Sequence, residues 1–225
     1  MPIAEPEQGV RYSGLDAGNL RAKYDVLIFP TEAIPAADTR EAPPPADLPE
    51  EYRGRTGVVT IARTIPQLKA FVEQGGTAIA IGSSTVLGRH LGLPVRNAIS
   101  VPRSRFYVPG SIVRVSVDNT IPVGYGFETE ADVFFNDSPV FALEPSAAAR
   151  GVRSVAWFAS ESPLRSGWAW GQSALKGTTA VVDAPLGLGR VLLFGPEITF
   201  RGQSHGTFKF LFNGIYEAGL GSGSR

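Results

Sequence analysis

The chain contains no cysteine. That one absence removes disulfides, thiolate metal sites and cysteine nucleophiles together. Histidine is almost as scarce: only His90 and His205 occur in 225 residues. A three-histidine metal site cannot be built from this chain, and neither histidine has a glutamate at zinc-ligand spacing. No metal or other cofactor is expected. Lys+Arg and Asp+Glu both number 21, and no segment collects the basic residues into a stripe, so nucleic acid is not an expected partner. No apolar run approaches membrane-spanning length. The opening MPIAEPEQGVRYSG lacks the basic and apolar regions of a signal peptide.

What is present describes a globular protein. A hydrophobic content of 43% with 19% charged residues is ordinary for a folded domain, and the length suits one medium domain with a sizeable core. Residues 1–23 read as a polar entry segment, 24–219 as one α/β domain with a β-rich portion at about 100–185, and 220–225 as a flexible tail.

Tyr24–Phe29 (YDVLIF) is apolar throughout and predicts a central strand of a parallel sheet. The proline-rich stretch Ala33–Glu51 predicts a long loop. Thr64-Ile65-Pro66-Gln67 predicts a helix start with Thr64 as N-cap, and Gly75-Gly76 its stop. Thr77–Ile81 (TAIAI) then predicts a buried strand, Gly82-Ser83-Ser84 a tight turn, and Val86–Leu91 a short helix. This alternation of strand and helix signals an open, mostly parallel sheet with crossover helices. Further on, Ser111–Val117 alternates with period two. Ala131–Phe135, Val155–Phe158 and Trp168–Trp170 are further strand candidates, and Thr179–Ala184 with Arg190–Phe194 predict a hairpin. The final helix is expected to bury Phe208, Leu211, Phe212, Ile215 and Tyr216 on one face.

Candidate chemistry gathers where such sheets place it, just beyond the carboxyl ends of strands. Ser83 and Ser84 occupy a strand-to-helix turn, the setting of a nucleophile elbow, although G-x-S-x-G is not met. The other reading is that serine caps the helix. After Gly195-Pro196 comes a polar loop with Glu197, Arg201, Gln203 and His205. His205 with Glu197 as orienting acid would complete a serine-hydrolase arrangement. The alternative is that these groups hold the last helix in place. Arg201 and Gln203 are candidates for holding an anion near the helix start, with an Arg201–Glu197 salt bridge as the alternative. His90 carries no metal-ligand spacing. Trp157, Trp168 and Trp170 suit either core packing or a carbohydrate- or peptide-binding platform.

Several runs together resemble a known family: GNLRAKYDVLIFP, FVEQGGTAIAIG, LGLPVRN, FYVPGSIVRVSVDNTIPVGYG and GRVLLFGPEITFRGQSHGTFKFLFN. They resemble the C-terminal region of large secreted bacterial zinc carboxypeptidases of the carboxypeptidase A type, over roughly Asp16 to Gly219. The resemblance implies a class I glutamine amidotransferase-like, flavodoxin-like fold. It also implies an upstream peptidase domain of a longer parent as partner, and a secreted or periplasmic location. The chain departs from both chemistries. It has no His-x-x-Glu, and Gly82-Ser83-Ser84 stands where an amidotransferase carries its cysteine, leaving the glutaminase mechanism without a nucleophile. The resulting expectation is a non-catalytic accessory domain.

Overall fold

The computed structural model describes residues 12–38, 49 and 59–221. Residues 1–11 of the expected entry segment, most of the proline-rich stretch and residues 222–225 of the expected tail lie outside the described residues.

A short helix α1 (Tyr12–Asp16) leads through a turn into strand β1 (Val26–Phe29). Helix α2 (Thr64–Glu73), strand β2 (Thr77–Ile81) and helix α3 (Leu87–His90) follow. The β-rich middle consists of β3 (Val95–Asn97), β4 (Ser111–Val117), β5 (Glu130–Phe135), β6 (Phe141–Leu143), β7 (Arg153–Trp157) and β8 (Leu164–Ser166). The hairpin β9 (Thr179–Leu186) and β10 (Gly189–Phe194) and the last helix α4 (Phe208–Gly221) complete the order.

The main path through the sheet runs β1-β2-β10-β9-β7-β4-β5. An open α/β sheet is therefore present, but it is mixed rather than mostly parallel. Among the described residues, only β1–β2 and β2–β10 pair parallel, while β10–β9, β9–β7, β7–β4 and β4–β5 are antiparallel. Parallel neighbours need a crossover of a dozen residues or more, as the segment through α2 supplies between β1 and β2, whereas Gly187 and Leu188 alone join β9 to β10 and return that strand antiparallel. Pairing with β2 alone among the described strands puts β1 at the edge rather than the centre of the sheet, with Ile28 42% exposed.

Period two sorts side chains to the two faces. On one face Ala78, Ala80, Val191 and Leu193 pack with α1, α2 and α3 residues such as Leu15, Leu68 and Leu87. On the other face Ile79, Ile81, Leu192 and Phe194 pack with Phe210 of α4 and with the β-rich half. The alternation predicted for β4 is as expected, with Val113, Val115 and Val117 buried.

Three local expectations change. Thr64 is the first residue of α2 and not its cap. The cap-like bonds come from Thr60, whose Oγ1 accepts from the Arg63 N–H at 3.2 Å and whose N–H donates to Thr64 Oγ1 at 3.0 Å. Trp168–Trp170 contributes a single bridge, Tyr107 to Trp170, and no strand. On α4, Phe212 and Tyr216 are 61% and 76% exposed. That helix is apolar almost all round, so periodicity alone does not select its inner face. The selection comes from Gly214, where a Cβ would stand 2.7 Å from Leu192 Cδ1. The missing side chain lets the helix approach the sheet along Gly214 and Phe210, and the Phe210 ring stacks on Phe127 at 4.1 Å.

Candidate functional site

The carboxyl ends of β1, β2 and β10 meet at one pole of the sheet, and the loops leaving them carry the candidate residues. Gly82 begins a 3-10 turn running to Val86. Its φ of +58° suits glycine, and a Cβ there would fall 2.3 Å from Glu197 Oε1 and 2.4 Å from Thr31 Oγ1. This close approach brings the β1 loop, the elbow and the first residue of the polar loop together.

The elbow serines are occupied with backbone. The Ser84 hydroxyl accepts from the Ala33 N–H at 2.9 Å and the Ile34 N–H at 3.1 Å, and donates to the Pro30 carbonyl at 2.5 Å. Ser84 is fully buried. Ser83 Oγ accepts from the Glu32 N–H at 2.8 Å and lies 3.2 Å from Thr31 Oγ1. Neither serine caps its own helix, and no side-chain cap is made at this turn. The capping reading is therefore corrected: the serines reach across to the neighbouring strand's loop. They latch residues 30–34 to the end of β2. The same loop is held further on by His90, whose Nε2 donates to the Pro35 carbonyl at 2.8 Å, and by Arg89, which donates to the Ala36 carbonyl at 2.7 Å.

Glu197 is half-buried at this pole. Burial raises its pKa above the usual carboxylate range; a contact from the Thr31 hydroxyl works against that rise and the nearby Glu32 charge adds to it. Glu32 itself sits at φ +65°, an uncommon backbone for a residue with a Cβ. Because the folded pKa of Glu197 lies above the unfolded value, its carboxylate costs stability at neutral pH. That cost disappears as pH falls through the folded value towards the ordinary 4.5. Glu197→Gln is thus expected to raise Tm at pH 7, with the gain over the parent shrinking to nothing at more acid pH. Melting curves across that range check this, and an unchanged or lower Tm at pH 7 would contradict it.

The rest of the polar loop does not join this group. His205 is exposed at the start of a 3-10 turn, and its ring packs on Phe208 at 5.4 Å. Among the described residues it makes no hydrogen bond with Ser83, Ser84 or Glu197. Arg201 forms no ion pair with Glu197. Its guanidinium lies 5.1 Å over the Phe200 ring, from a backbone at φ +48°, and Phe200 in turn stacks on Phe134 at 4.3 Å. Gln203 is exposed, and its backbone N–H donates to the Phe200 carbonyl at 2.9 Å. The residue that ties this loop to α4 is Thr207. Its buried hydroxyl bonds to the Ile198 carbonyl at 2.5 Å and the Ser204 carbonyl at 2.7 Å.

Sequence reasoning missed Thr31, Glu32 and Thr207. Thr31 and Glu32 directly follow the Pro30 that ends β1, so the rule about carboxyl ends of strands points to them as well as to Glu197. Chemically, the pole offers two carboxylates, Glu32 and Glu197, and three hydroxyls, Thr31, Ser83 and Ser84. A serine nucleophile needs a base within about 2.6–3.2 Å, and here Ser83 faces a threonine hydroxyl instead of an imidazole. No group of three or more metal-ligating side chains occurs among the described residues, and no helix among them is long and apolar enough to cross a membrane.

No protein-family model matches the chain, and no curated protein does. Similarity is found among solved structures. A protein of Thermoplasma acidophilum, described as a proposed component of GMP synthase, is 12% identical, with a TM-score of 0.51 over 94% of this chain and 78% of that one. A β-galactosidase from Bacillus circulans sp. alkalophilus is 13% identical with a TM-score of 0.49, covering 88% of this chain. The chain spans only 23% of that enzyme's length. A ThuA-like protein from Bacteroides uniformis is 11% identical at a TM-score of 0.47, over 93% of this chain and 72% of that one. At 12% identity the likeness to the Thermoplasma protein is one of fold, an open α/β sheet with flanking helices.

Proposed function

We propose that this chain is a non-catalytic accessory domain with a class I glutamine amidotransferase-like fold. It would belong to a larger secreted or periplasmic zinc carboxypeptidase, pack on that enzyme's catalytic domain and help it engage substrate or surface. The observation that carries the non-catalytic part is the state of the elbow. The position that bears the cysteine in amidotransferases holds Ser83 and Ser84: the buried Ser84 hydroxyl is spent on the backbone of residues 30–34, and the Ser83 hydroxyl accepts from the Glu32 N–H and meets the Thr31 hydroxyl. The neighbour of similar size in the fold comparison supports the amidotransferase-like architecture. The carboxypeptidase association rests on the sequence resemblance from Asp16 to Gly219.

The test is an assay of the 225-residue chain for zinc-dependent carboxypeptidase release, glutamine hydrolysis and ester hydrolysis. The reading predicts no turnover above buffer in all three. Turnover lost in His205→Ala or Ser83→Ala would replace it with the serine-hydrolase alternative built on Ser83 or Ser84, His205 and Glu197.

A further inference from the structure

We propose that the aromatic patch formed by the exposed Trp168 and Trp170 with the half-buried Tyr107, together with the adjoining Arg103–Asp137 pair, is a binding site for neutral oligosaccharides. The site lies on the β-rich half, away from the elbow, and the inference does not depend on the accessory reading.

Trp168 and Trp170 are 53% and 55% exposed. Single exposed apolar residues are ordinary on protein surfaces, but these two are neighbours held rigidly in water. Trp170 exchanges both backbone hydrogen bonds with Tyr107, at 3.0 and 2.9 Å, and its indole Nε1 donates to the Ser104 carbonyl at 2.9 Å. The Trp168 N–H donates to Ser111 Oγ at 2.9 Å, and the same hydroxyl donates back to the Trp168 carbonyl at 2.6 Å. Ser111 is buried at the start of β4. The Tyr107 ring meets Trp168 edge to face at 5.9 Å. The rings are thus fixed before any ligand arrives, which reduces the ordering cost of binding. Trp157 is not part of this patch: it is half-buried on β7 and pairs with Ser116, at the opposite end of β4.

The polar partners stand beside the rings. The Arg103 guanidinium lies 4.9 Å over the Tyr107 ring and donates to Asp137 Oδ2 at 2.7 Å. Asp137 is held at φ +47°. Both line a groove of about 210 Å³ with Asn97 and Ser138. Aromatic faces accept the C–H face of a pyranose ring through their negative π-surface. A planar guanidinium–carboxylate pair presents donors and acceptors side by side, as vicinal hydroxyls require. The two charges cancel, which favours a neutral sugar over an ionic one. Aromatic grooves also take proline-rich peptides, but such peptides have few hydroxyl or amide groups to match this polar pair.

The test is a titration of the 225-residue chain with cellohexaose, maltohexaose and chitohexaose, read by tryptophan emission and by calorimetry. At least one is expected to bind, with Kd on the order of 0.1–1 mM. Trp168→Ala and Trp170→Ala should each weaken it about tenfold while circular dichroism and Tm stay at parent values. Arg103→Ala should weaken it by a smaller factor, through lost hydrogen bonds. The proposal is overturned if none of the three binds at about 10 mM, if a polyproline peptide binds while the sugars do not, or if Trp168→Ala and Trp170→Ala retain full affinity. Any of these leaves the turnover prediction for the elbow untouched.

Discussion

Asp183→Ala is expected to lower the unfolding free energy by about 3–4 kcal/mol. Asp183 lies on β9 and is 1% exposed. Its Oδ2 accepts from Arg153 Nη2 at 2.5 Å, and its Oδ1 lies 3.3 Å from Arg190 Nε as an ionic contact without hydrogen-bond geometry. Arg190 continues to Glu217 on α4, so one buried carboxylate links β7, β9, β10 and the last helix. Removing it leaves two guanidiniums facing the core margin. Arg190 keeps Glu217, and Arg153, whose side chain is 45% exposed, can turn to water. The cost therefore sits at the lower end of what breaking a buried pair entails. For a chain of this length it corresponds to a fall in Tm of about 10 °C. Asp183→Asn, which keeps an acceptor but no charge, should fall between. Thermal melting checks both, and a Tm for Asp183→Ala within about 2 °C of the parent would refute the network's role.

How far the sequence discloses this architecture differs from element to element. Strands with strict alternation or uniform apolar character, β2, β4 and the β9–β10 hairpin, are readable because period two is a local property. Strand direction and order are not local. Nothing in YDVLIF separates a central parallel strand from an edge strand, and only the pairing partners decide it. The inner face of α4 is hidden for a related reason, since Phe212 and Tyr216 differ from Phe210 by position and not by hydrophobic character. At the pole of the sheet, Gly82, Ser83, Ser84 and Glu197 are legible because they follow strand ends. The partners of the serines are not: the N–H groups of Glu32, Ala33 and Ile34 lie some fifty residues away in a segment that reads as featureless loop. The aromatic patch is dispersed between Arg103 and Trp170, so no local motif marks it, and Asp137 joins Arg103 only through the fold.

Ser84→Ala is the second large effect, expected to cost about 2–3 kcal/mol. The Ser84 hydroxyl satisfies the N–H groups of Ala33 and Ile34 and the carbonyl of Pro30 in a fully buried position. Alanine has the same backbone demands and no polar atom, so the Ile34 N–H loses its partner, while the Ala33 N–H and the Pro30 carbonyl are left with only their mutual bond at 3.2 Å. Each such group costs about 1–3 kcal/mol when it stays dry. The total is less than the sum for three groups because the Ala33 N–H and the Pro30 carbonyl keep their bond to each other. Ser84→Thr, which keeps the hydroxyl but adds a methyl group in a packed site, should recover only part of the loss.

The measurement that bears most directly on the central claim is the melting temperature of Ser84→Ala beside the parent chain. If the elbow hydroxyl is a latch for the β1 loop, Tm falls by about 8 °C. A Tm unchanged within about 2 °C would contradict the account, because a hydroxyl that carries no structural burden at this pole would be free for chemistry.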